Sequence, residues 1–314
     1  MTASRFFCLC ACLLFFLSPV SLAFENTCGW IWHAPGASRP VYMKHEGQWR
    51  SYRLYVPRNY QPGAPLIVDM HGQGSTRNAQ IGLSCWKDLA EREGVIVVYP
   101  QALGIPSTWD AGDYCCYPRG RDDKGFILHM VECLATARKS GLVIDRRQIF
   151  AVGFSNGAAM AGRLACEHSE IFAGAALASQ SFPFYQASAC RNGTHAASAF
   201  PVLELRGRRD WIVPYHFSLG WSAAAPSSLF SWAQVNHCVG PPSIIDTCDD
   251  PASGPACVRG QGSCIRYDNC EGGVAVTQCS VNDDHFVYHN PQRFDFCSAA
   301  WHQFQQQPIR PRNQ

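Results

Sequence analysis

The chain has 314 residues, 47% of them hydrophobic, and a formal net charge of +2. This length can bury a large core, organised as one large α/β domain or two smaller ones. The near-neutral charge and the lack of a basic cluster exclude an electrostatic nucleic-acid binder, so we expect no nucleic-acid partner.

The N-terminus has the pattern of a secretory signal peptide. A short basic start is followed by an apolar run at 6–17 and small residues up to Ala23. An apolar run of about 12 residues is shorter than the roughly 20 that a membrane span needs. We therefore expect cleavage after Ala23, a secreted mature chain at 24–314 with a single domain, and no membrane anchor. The Asn192-Gly193-Thr194 triplet predicts an N-glycosylated surface loop.

Apolar periodicity predicts strands that alternate with helices along the chain. Strands are predicted at 49–57, 65–72, 95–100, 148–155, 172–179, 200–207 and 274–281. Helices are predicted at 85–94, 126–140, 158–166, 228–238 and 294–307. The central strands are continuous apolar runs, which is typical of a mostly parallel sheet with helices on both faces.

The cysteine content predicts disulfide bonds. Of 17 cysteines, Cys8, Cys10 and Cys12 lie in the signal peptide, which leaves an even number in an oxidising compartment. Zinc is the alternative, but paired C-x-x-C spacings with companion histidines are missing, so we expect no metal. The Cys- and Pro-rich stretch at 241–270 is polar and broken, and we interpret it as a disulfide-tied insert outside the core.

The segment Gly153-Phe154-Ser155-Asn156-Gly157 lies where a predicted buried strand becomes a helix. A tight turn is one interpretation. The other is a nucleophile elbow, in which Ser155 sits in a strained turn and the glycines allow strand and helix to pack closely. A serine nucleophile needs a histidine base and a carboxylate that orients the base.

The order serine, acid, histidine guides the search for these partners after Ser155. His285 follows directly on a predicted strand, and His289, four residues later, is the alternative base. Asp210 lies just past the predicted strand 200–207. Each could be an ordinary surface or turn residue, but their joint placement after strands predicts a Ser155–Asp210–His285 triad.

An acyl-transfer site also needs two N–H donors for an oxyanion. The backbone N–H of Asn156 is one candidate by its position after the nucleophile. The other is the N–H of Gln73, in the His71-Gly72-Gln73-Gly74 segment after an early strand. The alternative for this segment is a plain turn; together with the elbow, the pattern favours an oxyanion hole.

Several blocks of the sequence carry a family resemblance; they include LIVDMHGQG, TWDAGDYCC, FAVGFSNGAAMAGRLACE, FPVLELRGRRDWIVPY and NDDHFVY. These blocks resemble the secreted feruloyl esterase and polyhydroxybutyrate depolymerase group of α/β-hydrolases, and the resemblance extends from about Tyr52 to Phe304. It implies an α/β-hydrolase fold and the triad above. It also implies that Trp109, in TWDAGDYCC, contacts substrate.

The expected function is a secreted serine carboxylesterase acting on phenolic, feruloyl-type esters of plant cell-wall polysaccharide. It would need no cofactor, and no protein partner is implied. A polyester depolymerase and an acetylxylan esterase remain alternatives. A non-catalytic secreted binding protein on a hydrolase scaffold is an alternative of another class.

Overall fold

A ten-stranded sheet forms the centre of the molecule. The computed structural model describes residues 27–116, 120–182, 190, 198–219, 222–246, 262–289 and 294–306. The predicted signal peptide and the predicted glycosylation site at Asn192 lie outside these ranges. The strands are β1 (Ala37–His45), β2 (Gln48–Val56), β3 (Ala64–Met70), β4 (Ile96–Pro100), β5 (Ile144–Phe154), β6 (Gly174–Ala178), β7 (Val202–Gly207), β8 (Ser243–Asp246), β9 (Gly262–Tyr267) and β10 (Val276–Val281).

The strand order is β1-β2-β4-β3-β5-β6-β7-β10-β9-β8. The six strands from β4 to β10 in this order are parallel to one another. At one edge β2 and β1 are added antiparallel, and at the other edge β9 and β8 are. The carboxyl ends of the parallel strands therefore lie along the same end of the sheet, where loops can bring distant residues together.

Helices cover the sheet, and three of those described begin at a side-chain cap. They are α1 (Arg77–Leu83), α2 (Trp86–Glu93), α3 (Asp123–Ala135), α4 (Ala137–Ser140), α5 (Asn156–Glu167), α6 (Ala225–Val235) and α7 (Phe296–Gln305). The side chains of Thr76, Asp122 and Asp295 accept hydrogen bonds from backbone N–H groups in the first turns of α1, α3 and α7. Gly94 ends α2 in the left-handed conformation that glycine adopts readily. Among these helices none is long and apolar enough to cross a bilayer.

Two hydrophobic cores lie on opposite faces of the sheet. Strand β5 shows why, because Ile149 and Ala151 face one core while Phe150 and Val152 face the other. Side chains alternate along a strand, so a run apolar at every position must be covered on both faces. The two cores thus confirm the prediction, made from the continuous apolar runs, of a parallel sheet covered on both faces.

The structure corrects the interpretation of the Cys-rich insert. The stretch 241–270 contributes β8 and β9, which extend the sheet beyond β10. Cys264 of β9 is buried and disulfide-bonded to Cys279 of β10. Polar residues in β8 and β9 hid these strands because an antiparallel edge needs only one covered face. Strand β1 and helix α1 were also not predicted.

Disulfide bonds are present, as the sequence predicted. Besides the Cys264–Cys279 bond, the pairs are Cys28–Cys133, Cys85–Cys297, Cys115–Cys116, Cys166–Cys190 and Cys238–Cys270. The Cys85–Cys297 bond joins residues 212 positions apart and ties α2 to α7. Such a long closed loop is the case in which a cross-link restricts the unfolded chain most.

Candidate active site

Ser155 stands on a sharp turn between β5 and α5. Its φ of 52° and ψ of −123° are unusual for a residue with a side chain, which indicates local strain. A Cβ atom on Gly153 would lie 2.5 Å from the backbone of Gly157, and one on Gly157 would lie 2.2 Å from the carbonyl oxygen of Met70. Both glycines are therefore sterically required, and the segment is a tight strand-to-helix elbow.

Three side chains that are far apart in sequence form a hydrogen-bonded chain. The Nε2 atom of His285 lies 2.9 Å from Oγ of Ser155, and its Nδ1 lies 2.7 Å from Oδ2 of Asp210. An ionised carboxylate can only accept, so Nδ1 carries the proton and Nε2 is free to accept the Ser155 O–H. The structure thus brings together the predicted residues Ser155, Asp210 and His285.

The Asp210 carboxylate is held from its other side by the backbone. Its Oδ1 accepts the N–H groups of Ile212 at 2.8 Å and Val213 at 2.9 Å. The buried guanidinium of Arg206 donates to the carbonyls of Val213 and Pro214, which stabilises the same turn. The carboxylate orientation is therefore determined by three accepted hydrogen bonds.

Two residues that the sequence did not indicate hold the histidine loop. The buried Ser179 hydroxyl donates to the carbonyl oxygen of His285 at 2.6 Å. A Cβ on Gly207 would lie 2.1 Å from the carbonyl oxygen of Asp284, so only glycine lets this loop approach the end of β7. The alternative base, His289, ends a short 3-10 turn four residues later.

The segment after β3 has the arrangement that an oxyanion loop requires. Nδ1 of His71 lies 2.7 Å from the Gly72 carbonyl, and its Nε2 accepts the N–H of Ala102 at 3.1 Å. Burial lowers the pKa of His71 to about 4, so the ring is neutral and can make both bonds. In a trans peptide the N–H points opposite to the C=O, so this ring also directs the N–H of Gln73.

The two predicted oxyanion donors flank the elbow. A Cβ on Gly72 would lie 3.4 Å from Cβ of Ser155, so the Gly72–Gln73 peptide runs beside the nucleophile. The N–H of Asn156 belongs to the first turn of α5, where it cannot make an intrahelical bond. Within the described ranges neither the Gln73 nor the Asn156 N–H has a hydrogen-bond partner, which suits donors reserved for a ligand.

The structure corrects the interpretation of Trp109. Its side chain is fully buried, so it has no exposed surface with which to contact a substrate. Its indole N–H donates to the His71 carbonyl at 2.9 Å, and its backbone exchanges two hydrogen bonds with the Asn156 side chain. Trp109 thus clamps the loop after β3 to the start of α5, which are the segments that carry the two candidate oxyanion donors.

Exposed apolar side chains adjoin the triad residues in the sequence. Trp211, next to Asp210, is 79% exposed, and Phe286, next to His285, is 49% exposed. The Phe286 ring lies 5.8 Å from the His285 ring. Phe217 and Leu219 are also exposed in the segment that follows Asp210. An apolar rim of this kind marks a surface for an apolar group.

Among the described residues, two groups have the composition of a metal site, and protein contacts engage part of each. Cys28 and Cys133, near His129, are joined in a disulfide and cannot act as thiolate ligands. Nε2 of His45 donates to Oδ2 of Asp122 at 2.9 Å, and Asp122 also caps α3. Both groups lie outside the Ser155 elbow.

The amino-acid sequence is similar to those of known esterases. The chain is 26% identical over 230 residues to feruloyl esterase B of Piromyces equi, covering 70% of this chain and 39% of that protein. It is 31% identical over 149 residues to a probable acetylxylan esterase A of Aspergillus fumigatus, covering 46% of this chain and 39% of that protein. The chain thus spans about two-fifths of the length of these relatives.

The fold comparison agrees with the sequence comparison. The acetyl xylan esterase of Aspergillus awamori superimposes with a TM-score of 0.56 at 18% identity, covering 75% of this chain and 89% of that one. No protein-family model matches the chain. The chain is thus similar in sequence to feruloyl and acetylxylan esterases, and its mostly parallel, helix-covered sheet has the α/β-hydrolase fold.

Proposed function

We propose that the chain is a secreted serine carboxylesterase that hydrolyses phenolic, feruloyl-type esters of plant cell-wall polysaccharide. The observation that carries the proposal is the hydrogen-bonded sequence from Ser155 through His285 to Asp210. Esterase relatives support ester hydrolysis on carbohydrate as the broader activity. The disulfides support secretion, because such bonds persist in oxidising compartments.

In the first half of the reaction, Ser155 Oγ attacks the ester carbonyl carbon while its proton moves to Nε2 of His285. The carbonyl oxygen becomes an oxyanion, which accepts hydrogen bonds from the N–H groups of Gln73 and Asn156. Each such donor typically contributes about 3–4 kcal/mol to barrier lowering. Asp210 stabilises the imidazolium and maintains its orientation.

Collapse of the tetrahedral intermediate breaks the bond to the sugar oxygen, which leaves with the proton from His285. The acyl group remains on Ser155 as an ester. A water molecule then attacks this acyl-enzyme while His285 takes its proton, and Ser155 Oγ departs with that proton. The products are the free phenolic acid and the sugar hydroxyl, and the enzyme returns to its starting state.

The apolar rim supports an aromatic acyl group over an acetyl group. Trp211 and Phe286 adjoin Asp210 and His285 and expose far more apolar surface than a two-carbon acyl group can cover. Acetylxylan hydrolysis is the second candidate, because acetylxylan esterases are among the relatives. A polyester depolymerase remains a further alternative.

A substrate panel combined with active-site labelling tests the proposal. Wild-type protein is expected to react with a fluorophosphonate probe and to hydrolyse methyl ferulate faster than acetylated xylan or a short polyhydroxybutyrate. Ser155→Ala is expected to lose labelling and turnover, whereas Ser227→Ala, an exposed serine on α6, retains both. Wild-type protein without labelling or hydrolysis would instead favour the non-catalytic binding protein. Labelling with a preference for acetylated xylan would contradict the phenolic assignment.

A further inference from the structure

The first hairpin, at one side of the sheet, exposes large aromatic side chains. Trp49 of β2 is 65% exposed and Tyr42 of β1 is 56% exposed. Trp30, in the segment that precedes β1, is 87% exposed. Single exposed apolar residues are ordinary, but several exposed aromatic rings on one hairpin and the segment that packs against it mark an interaction surface. We call Trp30, Tyr42 and Trp49 the aromatic edge.

The register places two of these rings side by side. Tyr42 pairs with Ser51, and Lys44 pairs with Trp49, in the antiparallel β1–β2 ladder. Tyr42 and Trp49 are therefore diagonal neighbours on one face, a spacing at which large side chains can form a continuous surface. Val41 and Met43, on either side of Tyr42 in β1, point to the opposite face and are buried.

Trp30 is held in its exposed position by its neighbours. Cys28 is bonded to Cys133 of α3, and Ile31 is buried. Gly29 lies against β1 so closely that a Cβ there would be 1.8 Å from the Tyr42 carbonyl oxygen. The segment is thus anchored on both sides of Trp30, and the exposure of this indole is part of the fold.

Positive charges accompany the rings. The Arg77 guanidinium lies 5.8 Å from the Tyr42 ring, and the Lys44 ammonium lies 5.4 Å from the Trp49 ring. Arg53, opposite Pro40 in the ladder, shares the face of Tyr42. Arg53 donates to Ser38 and Asn78, and Arg77 donates to Ser51, all through neutral oxygens. Over the described part of the chain no carboxylate forms an ion pair with Arg53 or Arg77, so their positive charge is not neutralised. The surface is therefore aromatic and cationic together.

The aromatic edge lies at the same end of the sheet as the nucleophile. The N–H of Gln101, just after β4, donates to the carbonyl of Ser51, which pairs with Tyr42. In the sheet order, β1 and β5 are separated by β2, β4 and β3. At about 4.8 Å per strand step, the lateral separation from the β5 end is about 19 Å, so an extended polymer could touch both regions.

We propose that the aromatic edge binds a plant cell-wall polysaccharide that carries uronic acid residues. The apolar C–H faces of sugar rings pack on exposed indole and phenol rings, and uronate carboxylates complement the positive charge of Arg53 and Arg77. The link to ester hydrolysis rests on the proposed function, in that the bound polymer is the one whose esters reach Ser155. The binding itself does not depend on catalysis.

Affinity electrophoresis of the Ser155→Ala protein tests the binding without turnover. The probes are soluble glucuronoxylan and the same polymer after chemical reduction of its carboxylates. We expect retardation by glucuronoxylan, weaker retardation by the reduced polymer, and about a tenfold loss of affinity in a Trp30→Ala/Trp49→Ala variant. Phe230→Ala, which removes an exposed ring from α6, is the matched control and is expected to bind as the parent does.

Three outcomes would overturn the proposal. They are equal retardation of the parent and the Trp30/Trp49 variant, equal retardation by native and reduced polymer, and a parent dimer in sedimentation that the Trp30/Trp49 variant loses. The last result would assign the aromatic edge to self-association.

In protein that keeps Ser155, the Trp30→Ala/Trp49→Ala variant is expected to keep its rate on methyl ferulate and to lose rate on feruloylated xylan. If the wild type binds xylan but hydrolyses no ester, only the proposed function fails.

Discussion

The substitution Asp210→Asn isolates the proposed role of the carboxylate because the structure determines how the new amide would sit. Oδ1 of Asp210 accepts two backbone N–H groups, from Ile212 and Val213. An NH₂ group cannot accept a hydrogen bond, so the amide oxygen of Asn stays on these donors. The NH₂ group then faces Nδ1 of His285, which can meet it only as an acceptor.

This arrangement moves the imidazole proton to Nε2, which would then donate toward Ser155 instead of accepting its proton. We expect kcat/KM to fall about ten-thousandfold, as loss of the correct tautomer does in serine hydrolases, or about 5 kcal/mol of transition-state stabilisation. The two bonds from the backbone are kept and the bond to His285 is reversed, so the free energy of unfolding should change by no more than about 1.5 kcal/mol.

The assay compares kcat/KM on methyl ferulate, the rate of fluorophosphonate labelling and the denaturant midpoint. Asp284→Asn is the matched control, since this exposed carboxylate lies beside His285 in sequence and accepts the N–H of Phe286 rather than the ring. Asp210→Asn with activity within tenfold of wild type, at unchanged stability, would refute the tautomer reasoning. Equal losses in both variants would point to a general effect of charge.

His285→Ala should lose several orders of magnitude in kcat and His289→Ala far less; the reverse ranking in parallel kinetics would reassign the base. Gly157→Ala should lose about a hundredfold or more in kcat/KM, because its Cβ would sit 2.2 Å from the Met70 carbonyl and must displace the elbow by about 1 Å; a crystal structure and activity equal to wild type would exclude this steric role. Burial raises the pKa of Asp69 to about 7. The native state then binds more protons than the unfolded state between about pH 4 and 7. The free energy of unfolding of the wild type should therefore fall relative to that of Asp69→Asn as the pH rises through this range, by at most about 1.4 kcal/mol per pH unit. Urea titrations in which the difference in unfolding free energy between the two proteins does not change with pH would contradict the burial effect.

Local patterns in the sequence were sufficient to predict the central strands and the elbow. The apolar runs at β3, β4 and β5 must be buried on both faces wherever they lie, because no polar position is left for solvent. Gly153 and Gly157 flank a serine at the strand-to-helix junction, and that spacing is meaningful before any long-range contact is known. The order of Ser155, Asp210 and His285 along parallel strands followed from the same pattern.

Contacts between distant segments were decided only by the tertiary structure. Nothing near Ser179 in the sequence indicates that its hydroxyl would hold the carbonyl of His285, 106 residues away. Gly207 looks like any loop glycine until the Asp284 carbonyl is found against it. The sequence does not show whether Trp109 lines a cleft or is buried. The structure shows that it is buried and hydrogen-bonded to His71 and Asn156. The physical reason is that the periodicity of apolar residues shows which side of a helix or strand is buried. Which residue packs against that side depends on how the chain folds back on itself over long sequence separations, such as the 106 residues between Ser179 and His285.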